Sequence, residues 1–220
     1  MRVPTKRVPA MRALTMRAPA STLLALAALA LVYAPAALGE ALAYDRLAIL
    51  SGQLWRLWSG HLVHFSAQHG ITDAVALFLI GAVLEPLVGT RRLCIALSWG
   101  AALIALALLL GLPELTHYRG LSGLDVMMAV MALCALWERR IFPRYWIAAL
   151  AALLVLKTAC EALGIALGGT SLPAGITVMW QAHALGAAGG ILEALFFTQR
   201  FQQRRTSLTT YPATGDGRSA

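Results

Sequence analysis

Apolar residues fall into long runs along the chain, separated by short segments that contain glycine, proline and charged residues. A membrane-spanning helix needs about 20 mostly apolar residues, because the hydrocarbon core of a bilayer is about 30 Å thick. The pattern predicts an all-α integral membrane protein whose membrane domain, at 21–199, contains six spanning helices. A basic tail at 1–20 and a polar tail at 200–220, which we expect to be disordered, flank this domain. The six apolar runs are residues 21–39, 67–88, 92–111, 121–138, 145–167 and 179–198.

The composition supports the membrane assignment. Hydrophobic residues make up 59% of the 220-residue chain and charged residues only 13%. A soluble domain carries about 25% charged residues, so this chain has too few to cover a soluble core of its size. Lipid must therefore solvate much of the surface.

The net charge of +8 is distributed in clusters between the apolar runs. If the N-terminus is cytoplasmic, all the clusters lie on the cytoplasmic side of a six-helix protein, as the positive-inside rule requires. The pattern predicts that both termini are cytoplasmic, and it excludes the continuous basic face that nucleic-acid binding needs. The clusters are at residues 2–17, 91–92, 139–144 and 200–205.

The first apolar run is open to a second interpretation. A basic start, an apolar run and small residues at 34–39 resemble a cleaved signal peptide. The run is long for a signal peptide, which favours a retained first helix.

The sequence contains no recognisable cofactor motif. The three cysteines, Cys94, Cys134 and Cys160, lie in or beside apolar runs and have no metal-ligand spacing. Phosphate-binding and dinucleotide-binding motifs are also missing. We expect no metal and no cofactor.

Three polar side chains from separate helices share one depth in the predicted membrane domain. Ser122 begins the fourth helix, and His69 and His183 lie about one turn into the second and the sixth. Serine alone is usually an N-cap. A serine with a histidine at the same depth can be a nucleophile with its general base, and polar groups inside a membrane are usually functional. The pattern predicts a nucleophile at Ser122 and a base at His183.

Glycines provide the remaining elements of such a site. Gly120 and Gly123 flank a helix start, where backbone N–H groups without internal partners can bind an oxyanion. Gly186 and Gly190 are four residues apart, so they lie on one helix face and permit close approach of another helix. We expect the sixth helix to pack on the fourth and bring His183 to Ser122.

These segments resemble the rhomboid intramembrane serine proteases. The resemblance rests on GLSG at 120–123, AHALGAAGG at 182–190 and a loop-and-helix segment at 55–89. It implies a rhomboid bundle in which Ser122 is the nucleophile, His183 is the general base and His69 forms the oxyanion site with the Ser122 backbone. It further implies structural or loop roles for Trp55, Arg56, His64 and Glu85.

Two positions depart from the family pattern. Asp73 replaces the usual asparagine, and an ionised aspartate accepts hydrogen bonds but cannot donate them. Asp73 can therefore support an oxyanion only when protonated, or it can instead position His69. Val126 replaces a common aromatic residue, so support for His183 must come from elsewhere, for example from Asp125 or Met127. We expect Lys157 and Glu161 to pair with each other rather than to contact substrate.

The departures and the short chain look most like the rhombosortase subfamily. That resemblance implies an enzyme of the bacterial inner membrane with its active site facing the periplasm, surrounded by membrane lipids. Its substrates would be envelope proteins with a C-terminal tail, in which Gly-Gly precedes a single transmembrane helix. The alternative is a rhomboid-like pseudoprotease that binds transmembrane helices without cleavage. A small transporter is disfavoured, because the sequence has no internal repeat.

Overall fold

The structure, a computed structural model, describes residues 19–165 and 176–209. These residues form nine helices and one pair of two-residue strands, so the predicted helical fold is confirmed. The strands β1 (Tyr44–Asp45) and β2 (His117–Tyr118) are antiparallel. The helices are α1 (Ala20–Val32), α2 (Ala36–Leu42), α3 (Arg46–Leu50), α4 (Arg56–Ser59), α5 (Ala67–Val88), α6 (Thr90–Gly111), α7 (Ser122–Arg139), α8 (Arg144–Ala162) and α9 (Trp180–Thr209).

Three helices in the described part of the chain, α5, α6 and α8, are long and apolar enough to cross a membrane. The protein is therefore a multi-pass membrane protein. That the chain has six spans remains a prediction.

The first predicted span, 21–39, is interrupted. Helix α1 ends at Val32, and the separate helix α2 begins at Ala36 with Pro35 as its N-cap. Proline disfavours helical geometry at the preceding residue, which explains the break. With 13 residues, α1 is about 20 Å long, shorter than the hydrocarbon core of about 30 Å.

Helix α1 packs tightly against α5 at its start. The carboxylate of Glu85 accepts hydrogen bonds from the N–H of Ala20 at 2.9 Å and from the N–H and hydroxyl of Ser21 at 3.0 and 2.7 Å. Ser21 is fully buried above Gly81, where any Cβ would collide with it. These contacts satisfy the backbone donors at the helix start and attach α1 to α5.

Contacts between charged side chains mark one end of the bundle. Glu193 on α9 binds Arg92 on α6 at 3.0 Å and Trp99 at 3.0 Å. Arg139 at the end of α7 donates to the carbonyl of Leu87 near the end of α5. We call this end, defined by Arg92, Arg139 and Glu193, the basic end.

Helix α9 is longer than predicted. Its backbone is helical to Thr209, so residues 200–209 of the expected disordered tail belong to a helix. The other predicted tail residues, 1–18 and 210–220, lie outside the described part of the chain.

The opposite end of the bundle carries the strand pair and the short helices. Arg56 is buried there and donates to the carbonyls of Glu40 and Ala43 at 2.8 and 2.6 Å, and the Trp55 indole donates to Ala41 at 3.3 Å. These bonds fold the segment between α1 and α5 into a compact cover over that end.

A buried histidine and tyrosine connect this cover to the start of α7. His61 Nε2 donates to the Ala101 carbonyl at 3.0 Å, and burial lowers the pKa of His61 to about 4. The Tyr118 hydroxyl donates to the Gly120 carbonyl at 2.9 Å, and burial raises its pKa. Gly120 is the first residue of the GLSG segment at 120–123, so these contacts position the turn before Ser122.

Candidate active site

Ser122 is the first residue of α7, and the turn before it requires glycine. Gly120 has a φ of +135°, a conformation that other residues rarely adopt. A Cβ at Gly120 would also lie 3.1 Å from the His69 ring. The turn therefore begins α7 at Ser122, which is half-buried and lines a cavity that His69 also lines.

His183 reaches Ser122 because α9 packs against the backbone of α7. A Cβ on Gly186 would collide with the carbonyl oxygen of Gly123, and a Cβ on Gly190 would lie 2.6 Å from that of Met127. With no side chains between the two backbones, His183 Nε2 is 2.8 Å from Ser122 Oγ. This distance suits proton transfer from the hydroxyl to the ring.

The other ring nitrogen of His183 contacts Glu161 near the end of α8. Its Nδ1 lies 2.6 Å from Glu161 Oε2, and both side chains are almost fully buried, at 3% and 4% exposure. A carboxylate only accepts hydrogen bonds, so Nδ1 carries the hydrogen. The unprotonated Nε2 then faces Ser122, as a general base must.

The partner of His183 differs from the sequence-based expectation of Asp125 or Met127. Asp125 is buried near the cavity, and its Oδ1 has no hydrogen-bond partner among the described residues. Met127 packs against the glycines of α6 and α9. The expected Lys157–Glu161 pair is present, but it uses only Oε1 of Glu161 and leaves Oε2 for His183.

Sequence reasoning missed Glu161 although a signal was available. Glu161 lies near the end of the fifth predicted span, at the depth that Ser122, His69 and His183 share. The spacing of four residues from Lys157 already explained it as one half of an ion pair. Because the ion pair with Lys157 accounted for Glu161, its contact with His183 was not predicted.

Asp73 connects two histidines to the backbone just before Ser122. Its Oδ2 accepts the N–H of Leu121 at 3.0 Å and lies 3.2 Å from His64 Nε2 and 3.3 Å from His69 Nε2. The side chain is 8% exposed. This arrangement uses Asp73 as an acceptor, which fits the second of its two expected roles, positioning His69.

A cavity of about 900 Å³ contains these groups and opens between α5, α7 and α8. Ser122, His183, His69 and Asp73 line it on one side, and apolar residues such as Leu154 line it on another. It is large enough for a segment of peptide together with water. The described residues contain no group of three or more histidine, cysteine, aspartate or glutamate side chains placed to bind a metal ion.

The remaining predicted site residues divide by position. Gly123 lies at the α7–α9 contact, where a Cβ would be 3.0 Å from the Ala182 carbonyl. Trp55 and Arg56 lie in the cover, and Glu85 on α5 binds the start of α1. None of the three contacts Ser122 or His183.

Comparison with known proteins identifies one family. The family model of the Rhomboid domain matches residues 51–200, a segment that begins before α4 and includes Ser122, His69, Glu161 and His183. No curated protein matches the chain.

Proposed function

This chain belongs to the rhomboid family of intramembrane proteases, and we propose that it is itself a serine protease with Ser122 as nucleophile and His183 as general base. The observation that carries the proposal is the 2.8 Å contact between Ser122 Oγ and His183 Nε2 at the wall of a peptide-sized cavity.

The proposed reaction consists of two acyl transfers. His183 Nε2 accepts the hydroxyl proton as Ser122 Oγ bonds to the scissile carbonyl carbon, whose oxygen becomes negative. His183 then gives that proton to the amine nitrogen as the C–N bond breaks, and an ester remains on Ser122. Water hydrolyses the ester through the same two proton transfers, which releases a carboxylate and restores the hydroxyl.

The negative oxygen requires hydrogen-bond donors, and we assign this role to the Ser122 N–H and to Nδ1 of His69. The His69 ring must then carry hydrogen on both nitrogens, because its Nε2 lies against the Asp73 carboxylate. The first N–H groups of α7 have no partner within the helix, so they are available to a substrate. Asp73 remains an acceptor in this assignment. Its bond to the Leu121 N–H at 3.0 Å positions the peptide that precedes Ser122.

We further propose six spans, with cytoplasmic termini and the site near the periplasmic face of the bacterial inner membrane. Ser122 begins α7 and Arg139 ends it at the basic end, so the site and the basic residues lie at opposite ends of one helix. The positive-inside rule places the basic end in the cytoplasm.

For substrates we propose membrane-anchored envelope proteins cut near a C-terminal Gly-Gly, as in the rhombosortases that the sequence resembles. A protease can attack a transmembrane segment only where its backbone hydrogen bonds open. Each glycine lowers the stability of a helix by about 1 kcal/mol relative to alanine, so a Gly-Gly pair eases this opening.

Labelling with a fluorophosphonate, which reacts with activated serines, tests the proposal. We expect the detergent-purified parent to be labelled, Ser122→Ala to be unlabelled and His183→Ala to react at least about 10²-fold more slowly, because general-base catalysis contributes about that much. Ser51→Ala is the matched control, since Ser51 is an exposed serine just after α3 whose hydroxyl donates to the Ala48 carbonyl. It should label like the parent.

Equal labelling of the parent and Ser122→Ala would reject Ser122 as the nucleophile. A folded parent without label would support the pseudoprotease alternative. A labelled parent in liposomes should then cleave a reporter with a Gly-Gly tail and spare one with Leu-Leu there. Equal cleavage of both reporters would reject the proposed substrate class but not the protease.

A further inference from the structure

We propose that Glu161 is a positioning residue for His183, so that Ser122, His183 and Glu161 form a triad assembled from α7, α9 and α8. The inference rests on the proposed protease function and deepens it. The sequence suggests Asp125 or Met127 as support for His183, and Glu161 is evident only in the three-dimensional contact between α8 and α9.

The first argument concerns the position of the proton on His183. A neutral imidazole carries its hydrogen on either nitrogen, and only one of the two forms can accept a proton from Ser122. The Glu161 carboxylate, 2.6 Å from Nδ1, favours the form with hydrogen on Nδ1. Since both side chains are almost fully buried, water does not compete for that bond.

The second argument concerns charge. His183 becomes a cation when it takes the Ser122 proton, and an unpaired charge in a buried site is costly. Glu161 places a negative charge directly against that ring. Asp73 and Asp125 are further acids beside the cavity, but the carboxylate that accepts the hydrogen bond from His183 Nδ1 is that of Glu161.

Lys157 provides the competing explanation of Glu161. Its ammonium binds Oε1 of the same carboxylate, four residues earlier on α8. If Glu161 existed only for this pair, its loss would affect α8 and not the chemistry. The Lys157 side chain is 39% exposed, whereas that of Glu161 is 4% exposed. An ion pair on a helix surface does not require such deep burial of the acid.

The experiment compares Glu161→Gln, Glu161→Asp and Lys157→Met in the full chain. The readouts are the rate of fluorophosphonate labelling and the kcat and KM for a transmembrane reporter substrate. In serine proteases with a buried aspartate, replacing that acid by its amide lowers kcat about 10⁴-fold. We expect Glu161→Gln to lower kcat and the labelling rate by about 10² to 10⁴-fold on the same basis, with KM unchanged.

The two other variants separate positioning from stability. Glu161→Asp keeps the carboxylate but shortens its reach, so it should lose less rate than Glu161→Gln, and the loss should be in kcat. Lys157→Met removes the ion pair within α8 but keeps the carboxylate on His183, so its loss should be much smaller than that of Glu161→Gln. Unfolding temperatures of all variants report the structural component.

Parent-like labelling of folded Glu161→Gln would overturn the role of Glu161 while leaving the Ser122 assignment intact. A loss in Lys157→Met as large as in Glu161→Gln would overturn it as well, because the ion pair would then explain both. If Glu161→Gln does not fold, the test rests on Glu161→Asp. A Glu161→Asp variant whose KM rises while its kcat stays at the parent value would then contradict the role of Glu161. A folded parent that is not labelled at all would instead overturn the proposed function and, with it, this role.

Discussion

Helices α9 and α8 both bring a side chain to the same site, but they attach to the bundle in different ways. Helix α9 lies against α7 with glycine backbone on both sides of the contact. Helix α8 has a single buried apolar residue, Ile147, among its described residues, and its side chains Leu150, Leu153 and Leu156 are more than half exposed. Near the site, α8 attaches through Glu161.

This difference follows from the forces that act between helices in lipid. Lipid chains are as apolar as leucine, so apolar side chains alone do not drive helices together. Close backbone packing does, and it fixes the 2.8 Å separation between Ser122 and His183. The polar contact between His183 and Glu161 orients the imidazole ring, but it forms only when α8 is packed in the position seen in the structure. The contact between Ser122 and His183 is therefore preorganised, whereas the contact between Glu161 and His183 depends on the docking of α8.

The largest effect is expected where the α7–α9 contact is broken. In Gly186→Ala the new Cβ collides with the Gly123 carbonyl and lies 3.3 Å from the Met127 nitrogen. Backbone atoms cannot rotate away, so the helices must separate, at a cost of about 3 kcal/mol, the upper end for overpacking. We expect at least about a 10²-fold loss of fluorophosphonate labelling, because a misplacement of about 1 Å can cost that much.

Gly189→Ala is the matched control for this prediction. It is the same substitution on the same helix, but its Cβ would meet only side-chain atoms, at 3.5 Å or more. It should keep labelling near the parent level, and alanine is the better helix former. Equal losses in the two variants would show that the Gly123 contact does not set the site geometry.

A smaller effect is expected when acid lowers the folding stability of the part of the bundle outside α8. His61 has a pKa of about 4 against an ordinary 6.5, a difference that corresponds to about 3 kcal/mol. The folded state favours the neutral ring, so this stability is fully present above pH 6.5 and is lost as the pH falls from 6.5 to 4.

Unfolding measured at several pH values in one detergent tests this expectation. The parent should lose stability across that range. His61→Gln, which cannot titrate, should be less stable at pH 7 and lose about 3 kcal/mol less on acidification. Parallel curves for the two proteins would show that His61 is not the group responsible.

The smallest effect is expected at the attachment of α8. Ile147→Ala removes the buried isoleucine of α8, and Ile104→Ala removes an equally buried one from α6, at 4% and 1% exposure. Ile104→Ala should lower the free energy of unfolding by about 2 kcal/mol or more, since a cavity remains among the buried residues around α6. Ile147→Ala should cost about 1 kcal/mol or less, because lipid can fill part of the space. Thermal unfolding of both variants in one micelle type gives the comparison, and equal costs would mean that α8 is packed as firmly as α6.

Much of the helical architecture follows from the sequence alone. The bounds predicted for α5, α6 and α7 lie within two residues of those in the structure, because long apolar runs limited by glycine and charge have clear ends. The first and last helices differ more. A proline divided the first run, and the polar residues after 198 continued α9 rather than ending it.

The candidate site separates what the sequence determined from what tertiary structure decided. The sequence alone predicted which residues share one depth, since predicted depth follows from position along an apolar run, and it selected Ser122, His69 and His183. Only the tertiary structure decided which nitrogen of His183 faces Ser122 and which acid contacts the other one. Depth does not determine the rotation of a helix about its own axis. That rotation depends on packing between α7, α8 and α9, and it directs Glu161, rather than Asp125, toward His183.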